Sequence, residues 1–242
     1  MNRSVLAILL VLIAAMGLQG CVGIRGVRGS GSSDEKVYEV SDFSAVEVAT
    51  LGNLFIEFGE TEGLRIEADD NLLRYFEVEV RNGTLRIEHK DAVTLVPKDP
   101  IYFYLTAKSL DRVAVSGLCN VEVDDLETDR FTVAISGGGN VDLADLYADT
   151  FVVNISGLGD LYVAGGEVAA QEILISGGGN IKARALSTAE TTIRVSGLGS
   201  ATVNVSDHLK VTISGGGSVE YLGSPTVEQN ISGLGHVERL SD

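Results

Sequence analysis

Six aspartates lie close together in the middle of the chain: Asp124, Asp125, Asp142, Asp145, Asp149 and Asp160. Neighbouring carboxylates beside an arginine or lysine can divide acid and base roles at a glycosidic bond, the chemistry of polysaccharide hydrolases and lyases. Charged outward positions in a repeat are normally a solvated corner, and fold analogy is a weak warrant for function, so these residues favour a protein that is not an enzyme and leave the enzyme as the alternative. Seven glycine-rich blocks raise a second chemistry. They are Ser116-Gly117-Leu118-Cys119-Asn120, Ser136-Gly137-Gly138-Gly139-Asn140, Ser156-Gly157-Leu158-Gly159-Asp160, Ser176-Gly177-Gly178-Gly179-Asn180, Ser196-Gly197-Leu198-Gly199-Ser200, Ser214-Gly215-Gly216-Gly217-Ser218 and Ser232-Gly233-Leu234-Gly235-His236. A phosphate loop must end in Gly-Lys-Ser/Thr, and no block holds a lysine; a dinucleotide fingerprint enters a helix once, whereas these blocks recur after strands. They read as structural corners, and the sequence asks for no cofactor.

Metal chemistry fares no better. Residues 137–142 approach the calcium-binding GGxGxDxUx repeat. Where Asp142 stands, however, the other blocks are followed by Glu122, Tyr162, Lys182, Thr202, Glu220 and Glu238, which offers calcium too few oxygens in register. His89, His208 and His236 share no zinc-ligand spacing. Cys119 replaces a block glycine and reads as a small buried side chain, because no basic neighbour activates it. Phe131 and Phe151 read as interior partners, whereas Tyr147, Tyr162 and Tyr221 read as outward rings on which a sugar could stack.

The elements that must position these residues follow from the repeat itself. The blocks are spaced 20, 20, 20, 20, 18 and 18 residues apart, and short apolar triplets such as Val133-Ala134-Ile135 and Val141-Asp142-Leu143 flank them. Alternation with period two puts the first and third members of a triplet inside and the middle one outside. Short strands separated by glycine corners at this period predict a parallel β-helix, in which no coil buries its face alone and each stacks on the next. The hexapeptide rhythm of left-handed forms is missing, so the right-handed form is expected. The third block position alternates Leu118, Gly138, Leu158, Gly178, Leu198, Gly216, Leu234, a large-and-small packing pattern. The fifth position runs Asn120, Asn140, Asp160, Asn180, Ser200, Ser218, His236. These side chains tolerate left-handed backbone or bond their own turns, and they predict a hydrogen-bonded ladder; the stacked block-opening serines suggest the same.

Residues 36–110 read as an irregular β-rich first section that caps the rod, with the repeats at 111–242. Residues 48–56 align with 115–123 as a worn coil. Asn82-Gly83 marks a hairpin, and 69–75 suit one helical turn. A cap is needed because open coil edges template aggregation.

Composition and address complete the reading. The chain has 242 residues with 29 Gly and 3 Pro, 45% hydrophobic residues, and 34 acidic against 18 basic side chains for a net charge of −16. It is globular rather than a linker, and an acidic chain has no footprint for nucleic acid. Arg3 followed by an apolar run from Val5 to Ala15 makes residues 1–20 a secretory signal, too short to span a bilayer. Its end, Leu18-Gln19-Gly20-Cys21, resembles the lipobox of bacterial lipoproteins, in which cleavage between Gly20 and Cys21 leaves an acylated cysteine; Gln19 stands where a small residue is usual. With Cys21 lipidated, Cys119 is alone and no disulfide framework exists. Gly/Ser-rich residues 21–35 then read as a flexible tether between membrane and fold. Val22 sits where an aspartate would favour inner-membrane retention, which implies an outer-membrane lipoprotein.

Three features together resemble one family. They are Phe43-Ser44-Ala45-Val46-Glu47-Val48, the segment from Leu64 to Leu73, and the recurring blocks. The chain resembles DUF2807, labelled auto-transporter adhesin, head GIN domain, over about residues 42–235. The resemblance implies an exported β-helical protein, commonly a lipoprotein, with no catalytic residues to carry over. Three functions stand at this point: an adhesin-like surface for a glycan or envelope protein, a carbohydrate-active enzyme, and a structural or regulatory envelope component.

Overall fold

The structure, a computed structural model, describes residues 25–90 and 93–241; the signal segment, Gly20 and Cys21 lie outside them. The chain is an all-β solenoid of about 6 turns. It opens with β1 (Arg25–Arg28) and β2 (Ser33–Tyr38) and runs through β3 (Ala45–Ala49), β4 (Leu51–Phe58) and β5 (Gly63–Asp69). A single 3-10 turn at Leu73–Tyr75 precedes β6 (Phe76–Arg81), β7 (Thr84–His89), β8 (Val93–Val96) and β9 (Tyr102–Ala107). The regular part begins with β10 (Arg112–Val115), β11 (Leu118–Val123) and β12 (Leu126–Ile135). β13 (Val141–Ile155), β14 (Leu161–Ile175), β15 (Ile181–Val195) and β16 (Ala201–Ile213) each bend through most of a coil, and β17 (Ser218–Leu222), β18 (Thr226–Ile231) and β19 (His236–Arg239) finish the rod.

Period-two alternation sets the core. In β13 the inward residues Val141, Leu143, Leu146, Phe151, Val153 and Ile155 are buried, and they stack on Leu161, Val163, Ile173 and Ile175 of the next coil. Phe131 and Phe151 lie parallel inside, their ring centroids 6.0 Å apart. Coils are parallel and in register at 20 residues through β15. The step to 18 occurs on β16, where Ala183 pairs with Val203 but Ser187 with Asn204; the deletion falls away from the glycine corner, which stays aligned.

Residues 36–110 continue the solenoid and close one end of it. β3 and β4 continue the sheets of β10 and β11 in parallel register, Leu51 opposite Leu118, Asn53 opposite Asn120 and Ile56 opposite Val123. β7 and β9 then form a further rung beneath β3 and β4. The chain thus builds one coil, drops below it, and climbs back to β10. Three antiparallel strands close this end: β5 on β9, β6 on β7, and β2 on β5. The β6–β7 hairpin turns at Asn82-Gly83 with φ of 50° and 75°, the left-handed pair that a two-residue turn requires.

The expected tether is also corrected from residue 25 onward. β1 pairs with β8 and β2 with β5, and Asp69 fastens the stretch between them. Its buried carboxylate accepts backbone N–H bonds from Gly31 (2.5 Å), Lys98 (2.9 Å) and Asp99 (3.4 Å). Lys98 Nζ donates to the Ser30 carbonyl at 2.7 Å, and Asn71 Nδ2 to that of Arg28 at 2.9 Å. A side chain at Gly29 would collide with the Asp69 carboxylate. Within this linker-like composition, Gly29 is demanded by close approach and Gly31 by its φ of 83°.

The corner has its own logic. None of the block glycines has positive φ. A Cβ on Gly137, Gly157, Gly177, Gly197, Gly215 or Gly233 would fall onto the carbonyl oxygen of the glycine below, and the column from Gly139 to Gly235 is equally crowded. At Gly138, Gly178 and Gly216 the added carbon would meet only a leucine Cδ2, at 3.1, 3.2 and 3.1 Å. Gly157→Ala is therefore expected to lower stability by about 2–3 kcal/mol through overpacking, and Gly178→Ala to stay within about 0.5 kcal/mol of the parent, read from urea midpoints. The Asp69 clasp predicts a pH effect. Burial pushes its carboxyl up, but three backbone amides and the Lys98 ammonium outweigh it and hold the group below 3.8. A depressed pKa contributes stability that is present above the unfolded value and lost as pH falls through the folded one. Stability should decline below about pH 4, and Asp69→Asn should flatten that decline while lowering stability at neutral pH.

Candidate binding surface

Residues that alternate outward form columns up the solenoid. The fifth block position is one. Asn120 Oδ1 accepts the Asn140 N–H at 3.2 Å, Asn140 that of Asp160 at 2.9 Å, Asp160 that of Asn180 at 2.8 Å, and Asn180 that of Ser200 at 3.0 Å. These side chains bond the coil above rather than their own turns, and none has positive φ. The block-opening serines form no such ladder: among the described residues no side-chain hydrogen bond joins one to the next, and their amides donate instead to the strand below, as Ser136 does to Val115 at 2.9 Å. The ladder is structural, an internal seam rather than a ligand site.

The six aspartates do not gather at one place. Asp125 and Asp145 stack on successive coils, Asp125 accepting the Asp145 N–H at 3.1 Å. Asp142 pairs with Glu122 below and Tyr162 above; desolvation pushes its carboxyl up and the Lys182 ammonium opposes this. Asp149 lines an acidic trough of about 850 Å3 with Glu127, Asp129, Tyr147 and Glu167, and Asp160 belongs to the corner, 3.5 Å from Lys182 Nζ. No pair of these carboxylates is brought together across a closed cleft. The three histidines also part: His89 Nδ1 lies 3.0 Å from Thr50 Oγ1, while His208 and His236 sit on later coils. Among the described residues no group of three or more His, Cys, Asp or Glu is placed to hold a metal ion. Cys119 is buried, and desolvation pushes its thiol up to about 12, which disfavours the thiolate. No described helix is long and apolar enough to cross a membrane.

The outward tyrosines divide as well. Tyr147 and Tyr162 are exposed on different faces, but Tyr221 continues the inward column of Val203 and packs on the core. A different aromatic group emerges near the capped end. On the outer face of β5, β9 and β4, Phe55, Tyr102 and Tyr104 cluster with centroids 5.6–6.2 Å apart, the Phe55 and Tyr104 planes within 19°. Arg65 lies 4.1 Å above the Tyr104 ring and pairs with Glu35 at 3.2 Å and Glu67 at 3.5 Å. Thr106 Oγ1 donates to Glu57 at 3.0 Å. Glu57, Glu122, Asp124 and Arg65 border a hollow of about 600 Å3 against Phe55 and Tyr104. Half-exposed rings flanked by carboxylates and a guanidinium can receive the C–H face of a ring and bond its hydroxyls. The sequence signal for this group was the three aromatics themselves; what it lacked was the strand order that joins them.

Coil, cap and outward columns define an all-β solenoid whose chemistry lies on open faces. The chain belongs to DUF2807, the family described as "Putative auto-transporter adhesin, head GIN domain", whose model matches residues 42–225. Its fold is that of a crystal structure from Bacteroides fragilis NCTC 9343 named a "putative adhesin" (TM-score 0.84, 24% identity, covering 89% of this chain and 100% of that one). It is also similar to a "putative adhesin" from Parabacteroides distasonis ATCC 8503 (TM-score 0.69, 26% identity, 89% and 100%). A third similar structure, from the same organism, is named a "Putative lipid binding protein" (TM-score 0.71, 20% identity, 90% and 100%). No curated protein matches the chain.

Proposed function

We propose that this chain is a lipid-anchored envelope protein that acts as an adhesin-like module and binds glycan on the Phe55–Tyr102–Tyr104 platform. The observation that carries the reading is the grouping of three rings on a solvent-facing sheet, beside Arg65 and the carboxylates of Glu57, Glu122 and Asp124. Rigid aromatic faces lose little entropy on binding, and a parallel sheet holds them at fixed spacing. The family label of adhesin supports a binding role. The lipobox-like Leu18-Gln19-Gly20-Cys21 supports an acyl anchor, with the outer membrane as its address. Because β1 starts at Arg25 on the capped end, the platform lies at the end nearest Cys21 in the chain. That placement suits a glycan of the cell's own envelope.

Two measurements test the reading. The lipoprotein, reconstituted in vesicles of envelope lipid, should bind at least one neutral oligosaccharide by calorimetry. Tyr104→Ala and Phe55→Ala should each weaken that binding about tenfold, equivalent to about 1.4 kcal/mol, with thermal stability and Tyr147→Ala as controls. Equal binding by the platform variants, or release of cleaved products from a bound polysaccharide, would remove the proposal. Separately, Cys21→Ala should abolish incorporation of a fatty-acid analogue and move the protein from membrane to soluble fraction; unchanged retention would refute the anchor.

A further inference from the structure

Four large apolar side chains stand in water on this molecule in a single line. Leu118, Leu158, Leu198 and Leu234 are 69%, 78%, 77% and 95% exposed. Backbone bonds hold their column in register, Gly138 N–H to Gly117 O, Leu158 to Gly137, Gly178 to Gly157, Leu198 to Gly177, Gly216 to Gly197 and Leu234 to Gly215. With coils about 4.8 Å apart, the leucines recur about every 9.6 Å, and the coil between each pair presents Gly138, Gly178 or Gly216, over which Cδ2 of Leu118, Leu158 or Leu198 leans. Isolated exposed leucines need no explanation, but an aligned ridge of them marks a contact surface.

Charge narrows the occupant. The chain carries a net charge of −16, so two copies repel over most of their surface. The seven blocks contain one carboxylate, Asp160, which faces Lys182 at 3.5 Å. The corner is the strip where a second copy meets least repulsion. We propose that it is a homodimer interface in which two copies pack antiparallel, the leucines of each turning off their own glycines to seat over the glycines of the other. Parallel packing would set leucine on leucine and gap on gap. Antiparallel packing with Leu158 over the partner's Gly178 also places Leu118 over the partner's Gly216 and Leu198 over the partner's Gly138. It brings Leu234 to the partner's Leu51, which occupies the same column on β4. The contact is isologous and closes on itself. Four leucines contribute on the order of 500 Å2 per copy, about 1,000 Å2 in all, the lower bound for a specific interface. Association is therefore weak in dilute solution and favoured where copies are concentrated on a surface.

The full chain, in density-matched detergent, is examined by sedimentation equilibrium beside two variants of retained urea midpoint. Leu118→Ser/Leu158→Ser/Leu198→Ser removes the knobs, and Gly138→Leu/Gly178→Leu/Gly216→Leu fills the gaps while adding apolar surface. Interdigitation requires wild type to dimerise and both variants to lose at least tenfold in affinity. A wild type that stays monomeric at millimolar chain concentration, or tighter association of the gap-filled variant, would overturn the proposal, as would leucine-dependent binding to protein-free vesicles without dimerisation. Polarity is read by pairing Leu118→Cys with Gly216→Cys, which are five coils apart and too distant to join within one copy. A disulfide-linked dimer is expected, and its absence under oxidation that links adjacent surface cysteines refutes the antiparallel arrangement.

Discussion

Everything in this fold depends on how closely two backbones approach at the glycine corner. Parallel coils must stack at one strand spacing if their amides are to pair, and the corner bends the chain so that two positions per block aim their missing side chains at the carbonyls beneath. Any side chain there pushes coils apart at one edge and strains the ladders on both adjoining faces. Glycine is required for space rather than for backbone conformation, since φ is ordinary throughout the blocks. Once the corner is closed, the alternation of Val, Ile and Leu inward and polar residues outward follows without further choice. Cys119 shows the exception: opposite Gly52 the corner opens into continuous strand and its side chain turns into the core.

Much of this was legible in the sequence because a solenoid repeats its contacts at short, constant separation. The 20-residue period, the inward triplets, the stacked Phe131 and Phe151, the Asn82-Gly83 turn and the kinship of residues 48–56 with 115–123 are local or periodic signals. What stayed hidden depends on partners without periodicity. Asp69 meets Gly31 across 38 residues and Lys98 across 29, so residues 25–35 read as a linker. Tyr221 turns inward because its strand follows the shortened coil in register with Val203. The serines look ladder-like in sequence but point outward to water, their amides already satisfied.

The platform was hidden for a topological reason. Phe55 and Tyr104 are 49 residues apart, and they meet only because β9 slides beneath β4 after the chain has passed through β5, β6 and β7. No composition rule orders strands in that way. A solenoid face makes such grouping inexpensive, since residues that alternate outward are already free of the core and can vary without disturbing it. Geometry constrains the interior to apolar residues, and the exterior columns are where one member of such a fold can differ from another.

The clasp around Asp69 has a mechanical meaning as well. β1 begins at Arg25, four residues after Cys21 in the sequence, and four residue steps of any chain reach at most about 14 Å. A lipid on Cys21 would hold the solenoid on a short leash, so it could tilt but not wander. Its height above the bilayer, and the faces it turns toward neighbours, would then be properties of the fold rather than of a random coil.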